Sequence, residues 1–240
     1  MGQLETALGA PDTKRRYVRR LFGTIADRYD FITRFLSFGR DAGWKVRLVE
    51  LAAIQPGARV LDLACGTGDI AFEAARRGAG CVVGLDITPR MLELAREKPE
   101  SRGPLSWVVG DINAGMLNVG RNRMLDRGNV RGLHYAQLDA EALPFPDRAF
   151  DCVTMAFGLR NVTHKERALA EIHRVLRPGG LMCSLDFNRP ESAFIRAVYL
   201  TYLTIVGSTL GWVLHRDPDT YRYIPVLGGF MAIHIGRKGS

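Results

Sequence analysis

"VLDLACGTGD", residues Val60 to Asp69, decides the fold. Its first half is apolar except for one acid, which suits a strand buried on both faces of a parallel sheet. Its second half holds Gly66 and Gly68, one residue apart. Glycines there let the backbone turn tightly and let another group approach it closely. The residues that follow, "DIAFEAARRG", have helical spacing and stop at Gly78. Strand, glycine-rich turn and helix are the opening of a βαβ unit.

The same alternation continues outward. "GCVVGLD" reads as a strand and "TPRMLELAREK" as a helix, with Thr88 as N-cap and Pro89 at the first helical position. "FDCVTMAFG" is another buried strand. "HKERALAEIHRVL" is an amphipathic helix stopped by Pro178-Gly179-Gly180, and "LMCSLDF" is a strand again. Upstream, Val18, Leu21, Phe22, Ile25, Tyr29, Ile32 and Leu36 form one helical stripe over residues 14–36. A second helix is expected from about Trp44 to Ala53. Strands alternating with helices predict an α/β fold, a doubly wound, mostly parallel sheet with helices on both faces. Residues 1–13 read as a disordered lead and 14–240 as one domain.

Composition narrows the partners. The net charge of +8 suits an anionic one: a phosphate-rich ligand, nucleic acid or an acidic membrane face. The basic residues are scattered without interleaved aromatics, which argues against nucleic acid. Cys65, Cys81, Cys152 and Cys183 form no C-x-x-C pair and no metal motif, and read as reduced thiols of a cytoplasmic protein. "MGQLETALGAPDTKRR" lacks the apolar core of a signal peptide. Residues 197–214 carry no formal charge but contain several Thr, a Ser and two Gly, closely bracketed by Arg196 and His215. A buried or membrane-facing helix is expected there rather than a span.

Three acids stand beside the glycine turn. Asp62 ends the first strand, where a carboxylate suits a cationic ligand and opposes a pyrophosphate. This separates the motif from the loose dinucleotide pattern that Gly66 to Ala71 also satisfies. Asp86 ends the second strand, 18 residues after Gly68, close to the roughly 20 expected of an acid that accepts from ribose hydroxyls. Asp139 ends a later strand, where it can accept from an adenine amino group while the Ala140 N–H meets a ring nitrogen. Any one acid could be an ordinary cap or loop carboxylate. As a set they describe the S-adenosylmethionine site of a Rossmann-like class I methyltransferase.

"YDFITRFLSFGRDAGW", "VLDLACGTGD", "DAEALPFPDRAFD", "FGLRNV", "RVLRPGG" and "YRYIP" resemble the UbiE/MenG family, the demethylmenaquinone and polyprenyl-benzoquinol C-methyltransferases. The resemblance spans about residues 15–235. It implies methyl transfer from S-adenosylmethionine to a ring carbon of a prenylated hydroquinone. It further implies that Thr67, Asp86, Asp139 and Ala140 bind cofactor, that the strand end at Ala156 lies close by, and that Tyr29, Arg160 and Asn161 face the ring. Tyr29, His134 and His215 are open as candidates for the base. The enzyme would work in the cytoplasm, peripherally at the inner membrane face, helped by its basic residues, its N-terminal helix and segment 193–214. A homodimer is left open. The alternatives are a methyltransferase of another small acceptor, or a cofactor-binding protein with lost activity.

The chain departs from the family at Thr33, Asp41, Ala156 and Asp186, and in two larger ways. "CVVGLDITPRMLELAR" from Cys81 is nearly repeated by "WVVGDINAGMLNVGR" from Trp107. Spacing from Gly68 favours Asp86 over Asp111 as the ribose acid and makes about 104–131 an inserted strand–helix unit. In the other reading "WVVGD" is the third strand and "LHYAQLD" is displaced. It is disfavoured because "LDAEALPFPDRAFD" runs straight into the next strand. After "YRYIP" the family's sixth strand and its helix are missing.

Overall fold

The computed structural model describes residues 11–98, 105–111, 133–137, 140–188, 192–217, 220 and 230–239. Three helices lead: α1 (Pro11–Ile25), a 3₁₀ turn at Ala26–Arg28, α2 (Tyr29–Leu36) and α3 (Asp41–Leu51). There follow β1 (Arg59–Leu63), α4 (Asp69–Arg76), β2 (Cys81–Asp86), α5 (Pro89–Glu97), β3 (Leu105–Asp111), β4 (Leu133–Gln137) and β5 (Phe150–Ala156). A 3₁₀ turn at Leu159–Asn161, α6 (Lys165–Val175), β6 (Leu176–Asn188), α7 (Ala193–His215) and β7 (Phe230–Arg237) complete the chain. The stripe expected as one helix over 14–36 is broken at Ala26–Arg28, and α1 begins three residues inside the expected lead.

The seven strands lie in the order β4-β3-β2-β1-β5-β6-β7. All pairs are parallel except β6 with β7. The order reverses direction between β1 and β5, and in open α/β sheets ligands bind in the crevice at the strand ends there. The sixth strand of the resembled family has no counterpart among the described residues, and β7 stands at the sheet edge.

One expectation is corrected. The disfavoured arrangement is the one observed: β3, which holds "WVVGD", pairs directly with β2, and β4 is displaced one place outward. The physical reason is proximity along the chain. The crossover through α5 delivers Leu105 to the open side of β2 before Leu133 arrives, and its apolar run matches Val82–Asp86 in register.

Both sheet faces are covered. On one, Val60, Val82, Cys152 and Leu185 pack against Leu48 of α3 and Ile70 and Phe72 of α4. On the other, Leu61, Leu63, Val153 and Met155 pack against Ile172 and Val175 of α6. A separate cluster joins the N-terminal helices to α7 through Val18, Leu21, Ile25, Ile32, Leu36 and Leu203. Among the described residues no helix is long and apolar enough to cross a membrane.

Candidate active site

The turn after β1 is built from left-handed residues: Ala64 at φ 54°, Gly66 at 55° and Gly68 at 87°. At Ala64 this conformation costs about 1–3 kcal/mol, because its Cβ crowds the backbone. Phe157, just past β5, is left-handed too, at φ 56°. The two turns touch at Gly158, where a Cβ would come within 2.7 Å of the Ala64 methyl. Gly158 therefore fixes their approach. Sequence reasoning passed over it, although a glycine straight after a buried strand was a legible signal. A Cβ on Gly66 would meet no atom within 4 Å. The space over that glycine is open for a ligand.

Asp62 is fully buried at the end of β1. Its Oδ1 accepts from the Thr154 hydroxyl at 2.7 Å, while Oδ2 has no hydrogen-bond partner among the described residues. Burial pushes the carboxyl up to about 7, against the opposing effect of the Thr154 hydrogen bond. Asp86 is buried at the end of β2, and burial raises its carboxyl too. Its Oδ2 accepts from the Gly66 N–H at 2.9 Å and its Oδ1 from the Thr88 N–H at 2.8 Å. The Thr88 hydroxyl and the Ile87 N–H also favour its charged form, so the carboxylate is held in place by the turn and by the start of the next helix. A buried acceptor with a free oxygen, a second carboxylate fixed at the neighbouring strand end and open space over a glycine fit a ligand with a cationic end and a vicinal diol.

The other expected cofactor residues are less uniform. The Thr67 hydroxyl donates to Asp30 Oδ1 at 2.6 Å, so Thr67 ties the turn to α2. Ala156 is the half-buried last residue of β5, and Ala140 lies in a turn before it. Asp139 lies outside the described residues. The strand that leads to it, β4, is two places from β2, about 10 Å at the usual strand spacing.

An ion network unforeseen in the sequence holds the turn to the helices. Lys45 of α3 meets Asp69 at 2.7 Å and Asp41 at 3.3 Å. Lys98 meets Asp30 at 2.9 Å and Asp69 at 3.0 Å. Burial works against the charge on Asp69, but the two ammonium groups outweigh it and hold its carboxyl below the ordinary value. Burial likewise opposes the charge on Lys45, yet Asp69 keeps its pKa above that of a free lysine.

Beside the turn lies a cleft with about 820 Å³ of empty space, open to solvent. Tyr29, Ile32, Trp44, Phe157, Arg160 and Phe187 are among its walls. The Arg160 guanidinium sits 4.8 Å from the Phe187 ring centre and 5.5 Å from that of Phe157. Its Nη1 is 2.6 Å from Asp186 Oδ1, while its buried Nε has no hydrogen-bond partner among the described residues. Burial raises the Tyr29 phenol above its ordinary pKa. Asn161 is not among the lining residues; its side-chain amide donates to the Phe157 carbonyl at 3.3 Å. His215 ends α7 and is not among them either, and the His134 side chain lies outside the described residues. The structure thus brings Tyr29 and Arg160 together and leaves Asn161 out. An apolar, aromatic cleft with one unspent cationic donor suits a flat, electron-rich ring carrying oxygen.

The model of the ubiE/COQ5 methyltransferase family matches residues 10–109 and 100–226. Its two segments overlap where the second copy of the doubled stretch begins. The chain is 40% identical to the ubiquinone/menaquinone biosynthesis C-methyltransferase UbiE of Xanthomonas oryzae over 90% of its own length and 76% of that protein. It is 40% identical to the protein of the same name from Pseudomonas fluorescens, over 88% of this chain and 73% of the relative. An S-adenosylmethionine-dependent methyltransferase from Mesorhizobium loti is similar in structure, with a TM-score of 0.42 and 25% identity, over 61% of this chain and 54% of that one.

Proposed function

The chain belongs to the ubiE/COQ5 methyltransferase family, and from that premise we propose that its glycine turn holds S-adenosylmethionine while the neighbouring cleft seats the ring of a prenylated hydroquinone. It is an S-adenosylmethionine-dependent C-methyltransferase of ubiquinone/menaquinone biosynthesis. When bound, the cofactor supplies an electrophilic methyl group on a sulfonium. Asp62 faces its cationic end, Asp86 accepts from the ribose hydroxyls, and Gly66 leaves room for close approach.

A ring carbon becomes nucleophilic when the adjacent hydroxyl loses its proton. Arg160 stabilises the resulting phenolate, and the carrying observation is its buried Nε, a donor with no partner in an otherwise aromatic wall. Its other end is held by Asp186, so the guanidinium is oriented before substrate arrives. Tyr29 is a poor base, because a phenol with a raised pKa keeps its proton. It serves instead as a hydrogen-bond donor to the ring oxygen. Phe157 and Phe187 keep water from the reacting face.

The enzyme reaches its lipid substrate at a membrane surface. Phe31, Phe35 and Phe38 at α2, and Phe194, Ile205 and Trp212 of α7, are all exposed by half or more. Leu36 and Leu203, on the same two helices, line the cleft, so a prenyl tail leaving it would meet this apolar face.

The test is Arg160→Ala. Cofactor affinity by calorimetry is expected to stay at the wild-type value, while turnover of a prenylated hydroquinone falls by about 10²–10³. Turnover within a few-fold of wild type would remove Arg160 from the mechanism.

A further inference from the structure

Asp62 of β1 and Thr154 of β5 face each other across a parallel strand pair, and neither is exposed. A buried carboxylate ordinarily has both oxygens satisfied. Here the Thr154 hydroxyl donates to Oδ1 at 2.7 Å, the Ala71 N–H of α4 also favours the charged form, and Oδ2 has no hydrogen-bond partner among the described residues. A hydroxyl on one oxygen only fixes the plane of the carboxylate and leaves the other oxygen free.

We propose that Thr154 is a positioning residue for cofactor capture: it pins Asp62 through Oδ1 so that Oδ2 is presented to the cationic end of the cofactor, and the buried pair exchanges a proton for that cation. The proposal rests on the reading of the glycine turn as the cofactor site. The groups around Asp62 agree with it. Asp86 of β2, Asp69 of α4, Cys65 of the turn and Cys152 of β5 are the titratable groups near it, and none is a cation. Lys45 and Lys98, the nearby ammonium groups, are engaged by Asp69. Burial above all, with Asp86 and Asp69 adding repulsion, lifts the carboxyl to about 7. The bound cation would lower it again. Affinity for cofactor therefore rises as pH climbs toward about 7 and levels off above it, because below that value a proton must leave first.

Calorimetry with S-adenosylhomocysteine, whose amino group supplies the positive charge, measures this directly. Between pH 5.5 and 7.5 wild-type affinity is expected to rise about twenty-fold, as for one group with a pKa near 7. Thr154→Val keeps the shape but removes the donor to the charged form, so the midpoint should move up by about one pH unit. Thr154→Ser should restore it. Asp62→Asn should bind weakly, with no pH dependence in this range. If Asp62→Asn binds as wild type does, the cofactor-site reading itself falls. If Asp62→Asn flattens the profile but Thr154→Val leaves the midpoint in place, including a loss equal at every pH, only the role of Thr154 falls. Carbon-13 NMR of the Asp62 carboxyl in the empty wild-type protein gives a readout free of any variant's folding. Titration below pH 5 would overturn the proton exchange.

Discussion

Gly66 and Asp86 are joined by a hydrogen bond from the glycine N–H to the carboxylate, so turn and acid form one unit. A side chain on Gly66 would project into open space and adopt a left-handed backbone. Gly66→Val is therefore expected to abolish S-adenosylmethionine binding in a protein that still folds, and calorimetry on the folded variant checks it. Asp86→Ala removes the carboxylate proposed to accept from two ribose hydroxyls. Hydrogen bonds to charged groups contribute about 1.5–3 kcal/mol, so affinity should fall by about one to two orders of magnitude. Unchanged binding would move the ribose elsewhere. These residues were legible because each acid ends a strand and the spacing to the glycines is short. Thr154 and Asp30 were not, since they reach Asp62 and Thr67 across 92 and 37 residues of chain. No local pattern encodes such a pairing.

At the scale of elements, apolar runs and glycine stops indicated β1, α4, β2, α5, β5 and α6 well. What they could not indicate was which strand lies next to β2. Two runs with the same pattern, "WVVGD" and "LHYAQ", compete for that edge, and only chain connectivity decides. Excising about residues 104–131 would free the edge for β4. The shortened protein is expected to fold and to keep cofactor affinity within a few-fold, since Asp62, Gly66 and Asp86 lie outside the excised unit. Loss of binding in a folded deletion variant would show that β3 takes part in the site. The helices have their own weak point at Lys45, whose side chain lies almost buried between Asp41 and Asp69. Lys45→Met leaves Asp41 without its cation while Asp69 keeps Lys98, and should cost about 1–3 kcal/mol in thermal or denaturant unfolding.

At the scale of the whole molecule, the α/β class followed from alternation alone, while the apolar face of α2 and α7 needed three dimensions, because Phe38 and Tyr202 stack from distant parts of the chain, ring centres 5.1 Å apart. If that face meets lipid, co-sedimentation with anionic phospholipid vesicles should drop several-fold in Phe35→Asp plus Trp212→Asp, with turnover on a soluble short-tailed hydroquinone little changed. Equal sedimentation of variant and wild type would discard the membrane face. The doubled stretch has one more consequence, in the entropy of closing the chain. β1 must find β5 across 92 residues, of which the 28 from 104 to 131 are a minor share. Closure entropy grows only with the logarithm of loop length, so lengthening the loop from about 64 residues to 92 adds about 0.3 kcal/mol. A repeat whose strand finds a place in the sheet is thus nearly free to the unfolded chain, and the fold can carry two copies of one phrase without being driven to discard either.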